Sequence, residues 1–305
     1  MKPQILFLLV FLVSPGCVKG PETTDKSKSI GTRVIPVANT NEDSRGVDIV
    51  FLHGLMGDAK DTWQHDGDAT FWPKWLGDES QSFGVWTVGY DASASDWAGS
   101  TMPLHDRAEN IRTILKNKRI GSSRKVIFVT HSLGGLVVKQ LLRNASELGT
   151  EEDKTLAKNT AAVVFLATPH AGSNEADFMK RLNSIFKVVR HTETIDELTF
   201  QNANLRNLDQ WYSKYADANG ISTLAFYEKN ETFGHLIVDE GSANPHTRGS
   251  KDELVPVGAN HLEISKPPNK EHIVYETTVR FLKSVLNYVA VELSLIHISE
   301  PTRPY

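Results

Sequence analysis

Residues 46–53, 84–90, 125–130 and 161–167 are short runs dominated by apolar side chains, too brief and too uniformly apolar for amphipathic helices. Such runs predict buried strands. Between the second and third, residues 103–118 place Leu104, Ala108, Ile111 and Leu115 at steps of three and four, the spacing of one helical face. A second helix is predicted over 133–148, ahead of the fourth run. Near-continuous apolar strands alternating with helices imply a mostly parallel sheet covered on both faces, so the fold class is α/β. Residues 174–215 then read as two helices without an intervening strand. The first carries Phe178, Leu182, Ile185, Phe186 and Val189 on one side, as a core-facing helix or a substrate-contacting lid would. A strand returns at 221–227 and a weaker one at 253–257. An amphipathic helix over 271–291 closes the pattern.

With 305 residues and no internal repeat, the chain is long enough for one large domain, expected over 46–292. Residues 1–17 differ in kind: Lys2, an apolar run from Ile5 to Val13, then Ser14, Pro15 and Gly16 read as an export signal. Nine apolar residues fall short of the roughly 20 that span a bilayer. Cys17 follows as a candidate lipidation site, giving two forms of an exported protein, secreted or periplasmic on the one hand and a membrane-anchored lipoprotein on the other. An organelle membrane-associated start is the alternative. Residues 18–45 have the polar composition of a tether. Residues 293–305 match a translated sequencing-library adapter and are read as a non-native tail.

Composition removes several function classes. A formal net charge of −4 without a basic block lacks the footprint of a nucleic-acid binder. Cys17 is the sole cysteine, so neither an intramolecular disulfide nor a cysteine zinc site can form. No phosphate-loop or His-Glu-x-x-His motif occurs. No metal and no cofactor are expected.

Ser-x-Gly occurs five times, beginning at Ser14, Ser29, Ser44, Ser82 and Ser132. Only Ser132, in Thr130-His-Ser-Leu-Gly-Gly135, stands between a predicted strand and a predicted helix, the context of a nucleophile elbow. A turn that sharp needs small residues two before and two after the serine. Gly134 meets the need, Thr130 departs from it, and the turn is expected to expose the hydroxyl. The backbone N–H of Leu133 would face a forming oxyanion, and Leu55, after the strand ending in His53-Gly54, is the candidate second donor. Among the downstream histidines His235, His246, His261 and His272, His261 is favoured as base, because it follows the 253–257 strand directly before the closing helix. The acid is Glu228, at the end of the 221–227 strand, with Asp239 and Glu240 as alternates.

Phe51-Leu-His-Gly-Leu-Met-Gly57, the elbow, Phe165-Leu-Ala-Thr-Pro-His-Ala-Gly-Ser173 and Asn260-His-Leu-Glu-Ile-Ser-Lys-Pro267 together resemble the serine active-site-containing, lipase-like branch of the α/β hydrolases, over residues 46–291. The resemblance implies an α/β-hydrolase fold and a serine esterase or lipase acting on a small-molecule or lipid acyl substrate. In that branch the segment similar to Ala225-Phe-Tyr-Glu228 ends in an acidic residue, and eukaryotic members are linked to phospholipid remodelling. The first pair of strands found in many relatives is not evident. A non-catalytic binding or scaffold protein on the same fold is the alternative function class.

Overall fold

The computed structural model describes residues 31–41, 46–92, 103–170, 181 and 202–299. The expected export signal with Cys17, and the first of the two helices read in 174–215, lie outside the described residues.

Seven strands form one sheet: β1 (Arg33–Ala38), β2 (Val47–Leu52), β3 (Phe83–Gly89), β4 (Lys125–His131), β5 (Thr160–Leu166), β6 (Ser222–Glu228) and β7 (Glu253–Val257). Their order is β1-β3-β2-β4-β5-β6-β7, and every pairing is parallel except β1 with β3. The central strands β2 and β5 are buried at every position, as strands covered on both faces must be. Asp48 is the one charged residue in β2, and its Oδ1 accepts the indole N–H of Trp86 at 3.0 Å across the β2–β3 ladder. Both outer strands carry a proline, Pro36 in β1 and Pro256 in β7, which edges tolerate because one side of an edge strand needs no N–H donor.

The helices are α1 (Trp72–Glu79), α2 (Leu104–Asn117), α3 (Gly134–Arg143), α4 (Glu151–Asn159), α5 (Asn202–Asn219), α6 (Glu240–Ala243) and α7 (Ile273–Ser299). In α2 the expected stripe is buried at Ala108, Ile111 and Leu115, with Leu104 packed at its margin. Helix α3 continues into a π-helical stretch, Asn144–Leu148, so the single helix expected over 133–148 has two geometries. Lys139 of α3 is fully buried and paired with Asp209 of α5 at 2.6 Å, which ties the two helices together.

Three elements differ from the sequence reading. The segment expected as a tether over 18–45 contains β1, whose short apolar run Val34-Ile-Pro-Val37 is interrupted by a proline, as an edge strand tolerates, and is surrounded by polar residues. The domain therefore includes this antiparallel edge strand. Helix α4 went unread because it buries just Leu156, Ala157 and the polar Asp153. Helix α7 runs seven residues beyond Glu292, through Ser299 and up to the segment with Pro301.

Candidate active site

Strand β4 ends at His131, and the chain turns through Ser132 with φ at 52°, in the left-handed region that a residue bearing a Cβ adopts only at a cost. Neighbours hold that turn in place. Ser132 N–H donates to the Leu166 carbonyl at 2.9 Å, and Thr168 Oγ1 donates to the Ser132 carbonyl at 2.9 Å. A Cβ at Gly134 would stand 2.5 Å from the carbonyl oxygens of both Leu52 and His53, so a larger residue cannot sit there without moving β2. Thr130 is tolerated because its hydroxyl has a partner, donating to the Val164 carbonyl at 3.0 Å.

Ser132 Oγ lies 2.9 Å from His261 Nε2, and His261 Nδ1 lies 2.9 Å from Glu228 Oε2. The second oxygen, Glu228 Oε1, accepts the backbone N–H groups of Ile237 at 2.7 Å and Val238 at 2.8 Å. With the carboxylate accepting at both oxygens, His261 carries its proton on Nδ1, which leaves Nε2 free to receive the serine proton. The hydroxyl was expected to be exposed. Instead Ser132 is 2% exposed and His261 2%, because the His261 ring and the loop at Gly54 stand against the serine.

The main chain of His261 is held as firmly as its ring. Its N–H donates to Thr232 Oγ1 at 2.9 Å, and its carbonyl lies 2.9 Å from His131 Nε2. Just downstream, the Ser265 hydroxyl donates to the Thr62 carbonyl at 2.9 Å, and the Ser265 carbonyl accepts the Trp72 indole N–H at 2.9 Å. Neither Thr232 nor His131 was singled out from the sequence. His131 carried a positional signal, standing between strand and serine, whereas Thr232 is brought in only by tertiary structure.

The His53-Gly54 turn is built by the same means. His53 Nδ1 donates to the Gly54 carbonyl at 2.9 Å, its Nε2 faces the Tyr90 N–H at 3.4 Å, and the Tyr90 hydroxyl donates to the His53 carbonyl. The two rings stack 4.2 Å apart. Burial, the largest influence, lowers the His53 pKa to about 4, so the ring is neutral and structural. A Cβ at Gly54 would come within 2.7 Å of Ser132 Cβ and 3.3 Å of the Leu133 nitrogen, so only glycine lets this loop lie on the elbow. The turn thereby lays Gly54, the residue before Leu55, against the elbow that carries Leu133.

The alternate acids are engaged elsewhere. Asp239 Oδ1 caps α6 by accepting the Ser242 N–H at 2.8 Å, and Glu240 Oε2 accepts the Tyr227 hydroxyl at 3.1 Å. Of the other downstream histidines, His246 faces Asp209 at 3.5 Å, and His235 exchanges backbone bonds with Thr232. Among the described residues no cluster of three or more His, Cys, Asp or Glu side chains could hold a metal ion.

A seven-stranded, mostly parallel sheet with a serine on a left-handed turn at the end of a central strand is the α/β-hydrolase fold. More narrowly, the chain belongs to the PGAP1-like alpha/beta domain family, whose model matches residues 43–280. Among curated relatives, Protein SERAC1 of Bos taurus is 30% identical over 260 residues, covering 78% of this chain and 39% of that protein. Protein SERAC1 of Homo sapiens is 29% identical over 287 residues, covering 87% and 43%. The chain thus spans about two fifths of the length of these relatives. Two solved structures share the fold: a carboxylesterase of the thaumarchaeon Nitrososphaera gargenis, with TM-score 0.53 and 15% identity over 84% of this chain and 95% of that one, and a lipase-esterase related protein of Clostridium acetobutylicum, with TM-score 0.50 and 12% identity over 83% and 99%.

Proposed function

We propose that this chain is a serine hydrolase that cleaves carboxylic esters through an acyl-enzyme, with Ser132 as nucleophile, His261 as general base and Glu228 as the orienting acid. The observation that carries the reading is the continuous hydrogen-bonded line from Ser132 Oγ through His261 to Glu228, with both links at 2.9 Å. Ser132 Oγ attacks the ester carbonyl as His261 Nε2 takes its proton, and the same proton passes to the departing alkoxide. Water, deprotonated by His261, then attacks the acyl-enzyme and returns Ser132. The negative oxygen formed in both steps is held by the N–H groups of Leu55 and Leu133.

An apolar acyl group suits the surroundings of the base. Phe233, 50% exposed, follows Thr232, and Leu262, 39% exposed, follows His261, so each of the two residues joined by the Thr232–His261 bond is followed in the chain by an exposed large apolar residue. This favours lipid-like esters over small polar ones.

The test is hydrolysis of p-nitrophenyl esters together with labelling by a fluorophosphonate. The parent is expected to label at Ser132 and to turn over. Ser132→Ala is expected to lose labelling and to fall by roughly 10⁴-fold or more in kcat, with the melting temperature little changed. An alanine variant as active as the parent would remove Ser132 from the mechanism.

A further inference from the structure

We propose that His131 is a positioning residue for the base: by donating its Nε2 proton to the main-chain carbonyl of His261, it fixes where the His261 imidazole stands over Ser132. This rests on the reading of Ser132 and His261 as nucleophile and base.

The bond is 2.9 Å long and buried, and it joins residues 130 positions apart. A carbonyl oxygen only accepts, so His131 Nε2 must carry the proton, which makes the ring a neutral donor whose reactive nitrogen is already committed. Burial first, then the nearby His261 and Lys266, lower the His131 pKa to about 3, so the ring stays neutral. That matters because the two rings are 5.2 Å apart and His261 becomes an imidazolium in the transition state. A lysine or arginine donating the same bond would oppose that charge, whereas a neutral imidazole satisfies the carbonyl without doing so.

The arrangement is a clamp. His131 and Ser132 are consecutive, and one holds the backbone of His261 while the other meets its ring. Thr232 takes the N–H on the opposite side of the same residue. Any movement of the elbow therefore carries the base with it, which preserves the separation of Oγ and Nε2. Displacement of about 1 Å at a reacting pair can cost roughly 100-fold in rate.

The test uses the full chain with His131→Leu, His131→Asn and His131→Gln. Glutamine presents an N–H at the reach of Nε2, asparagine is too short, and leucine has no donor; asparagine also covers the case in which leucine fails to fold. With p-nitrophenyl butyrate, leucine and asparagine are expected to lower kcat by about 10- to 100-fold with KM within about twofold, and glutamine to stay within about threefold of the parent. Without any substrate, the downfield proton NMR signal of His261 Nδ1–H is expected to be sharp in the parent and the glutamine variant and broadened in the other two. A leucine or asparagine variant with parental kcat and an unaltered signal overturns the proposal, as does a glutamine variant no better than leucine. The NMR reading needs no turnover, so it separates failure of the clamp from failure of the esterase reading, which Ser132→Ala reports.

Discussion

Glu228 engages both oxygens, one with the His261 ring and one with two backbone N–H groups, and it is fully buried. Replacing it with glutamine keeps the shape but sets an NH2 against a donor, whichever way the amide is turned. Glu228→Gln is therefore expected to lower kcat by about 10³- to 10⁴-fold, because His261 loses its tautomer and the imidazolium loses its partner. Asp239→Asn and Glu240→Gln should stay within about threefold of the parent, since those side chains serve a helix cap and a tyrosine. Steady-state kinetics on the three variants decide the matter, and full turnover by Glu228→Gln would move the acid elsewhere. Much of this was readable: Ser132, His261 and Glu228 each sit at a strand end or just after one, where periodicity places the rim of a parallel sheet. Thr232 left no trace, because its role comes from a bond to a residue 29 positions away rather than from any local pattern.

At the scale of elements, the elbow is a fit between strand, turn and helix. Gly134→Ala would push a methyl into the backbone oxygens of Leu52, the last residue of β2, and His53 just after it, which lack a flexible way out. Several kcal/mol of destabilisation, enough to lose most soluble protein, are expected, against about 1 kcal/mol gained from helix propensity alone. A thermal melt near the parental value would show that β2 yields more readily than its burial implies. Elements with a strong apolar face, such as α2, β4 and β5, were legible from spacing. Helix α4 was not, yet a local signal existed: Thr150 and Asp153 form a reciprocal capping box. Strand β1 carried a weaker mark, the apolar run Val34-Ile-Pro-Val37, but Pro36 interrupts it and only Val34 is buried, so the run reads as readily as loop as it does as edge strand.

For the whole molecule, the most general consequence of the buried histidines concerns acid. His53, His131 and His170 all have pKa values lowered by burial, to about 4, to about 3 and well below the ordinary value. In the unfolded chain the same rings protonate near pH 6.5. Between that value and the folded-state values the unfolded state binds more protons, so stability falls as the pH drops from about 6.5, by roughly 1.4 kcal/mol per pH unit for each ring. Urea melts from pH 8 to pH 4.5 should show the decline, and proton uptake on unfolding at pH 5 should include about three from these rings. A curve flat between pH 7 and pH 5 would contradict the neutral assignment.

The bonds that Ser265 makes to Thr62 and Trp72 close loops of 203 and 193 residues. Closing loops that long is entropically costly and comes late unless intervening strands have already shortened the path. His261, four residues before Ser265, lies in the segment these bonds hold, so its final placement over Ser132 is expected to complete as they close. During refolding the sheet can form while the serine still lacks its base, so recovery of fluorophosphonate labelling should lag behind recovery of far-ultraviolet circular dichroism, and the interval between them times the final closure of the chain.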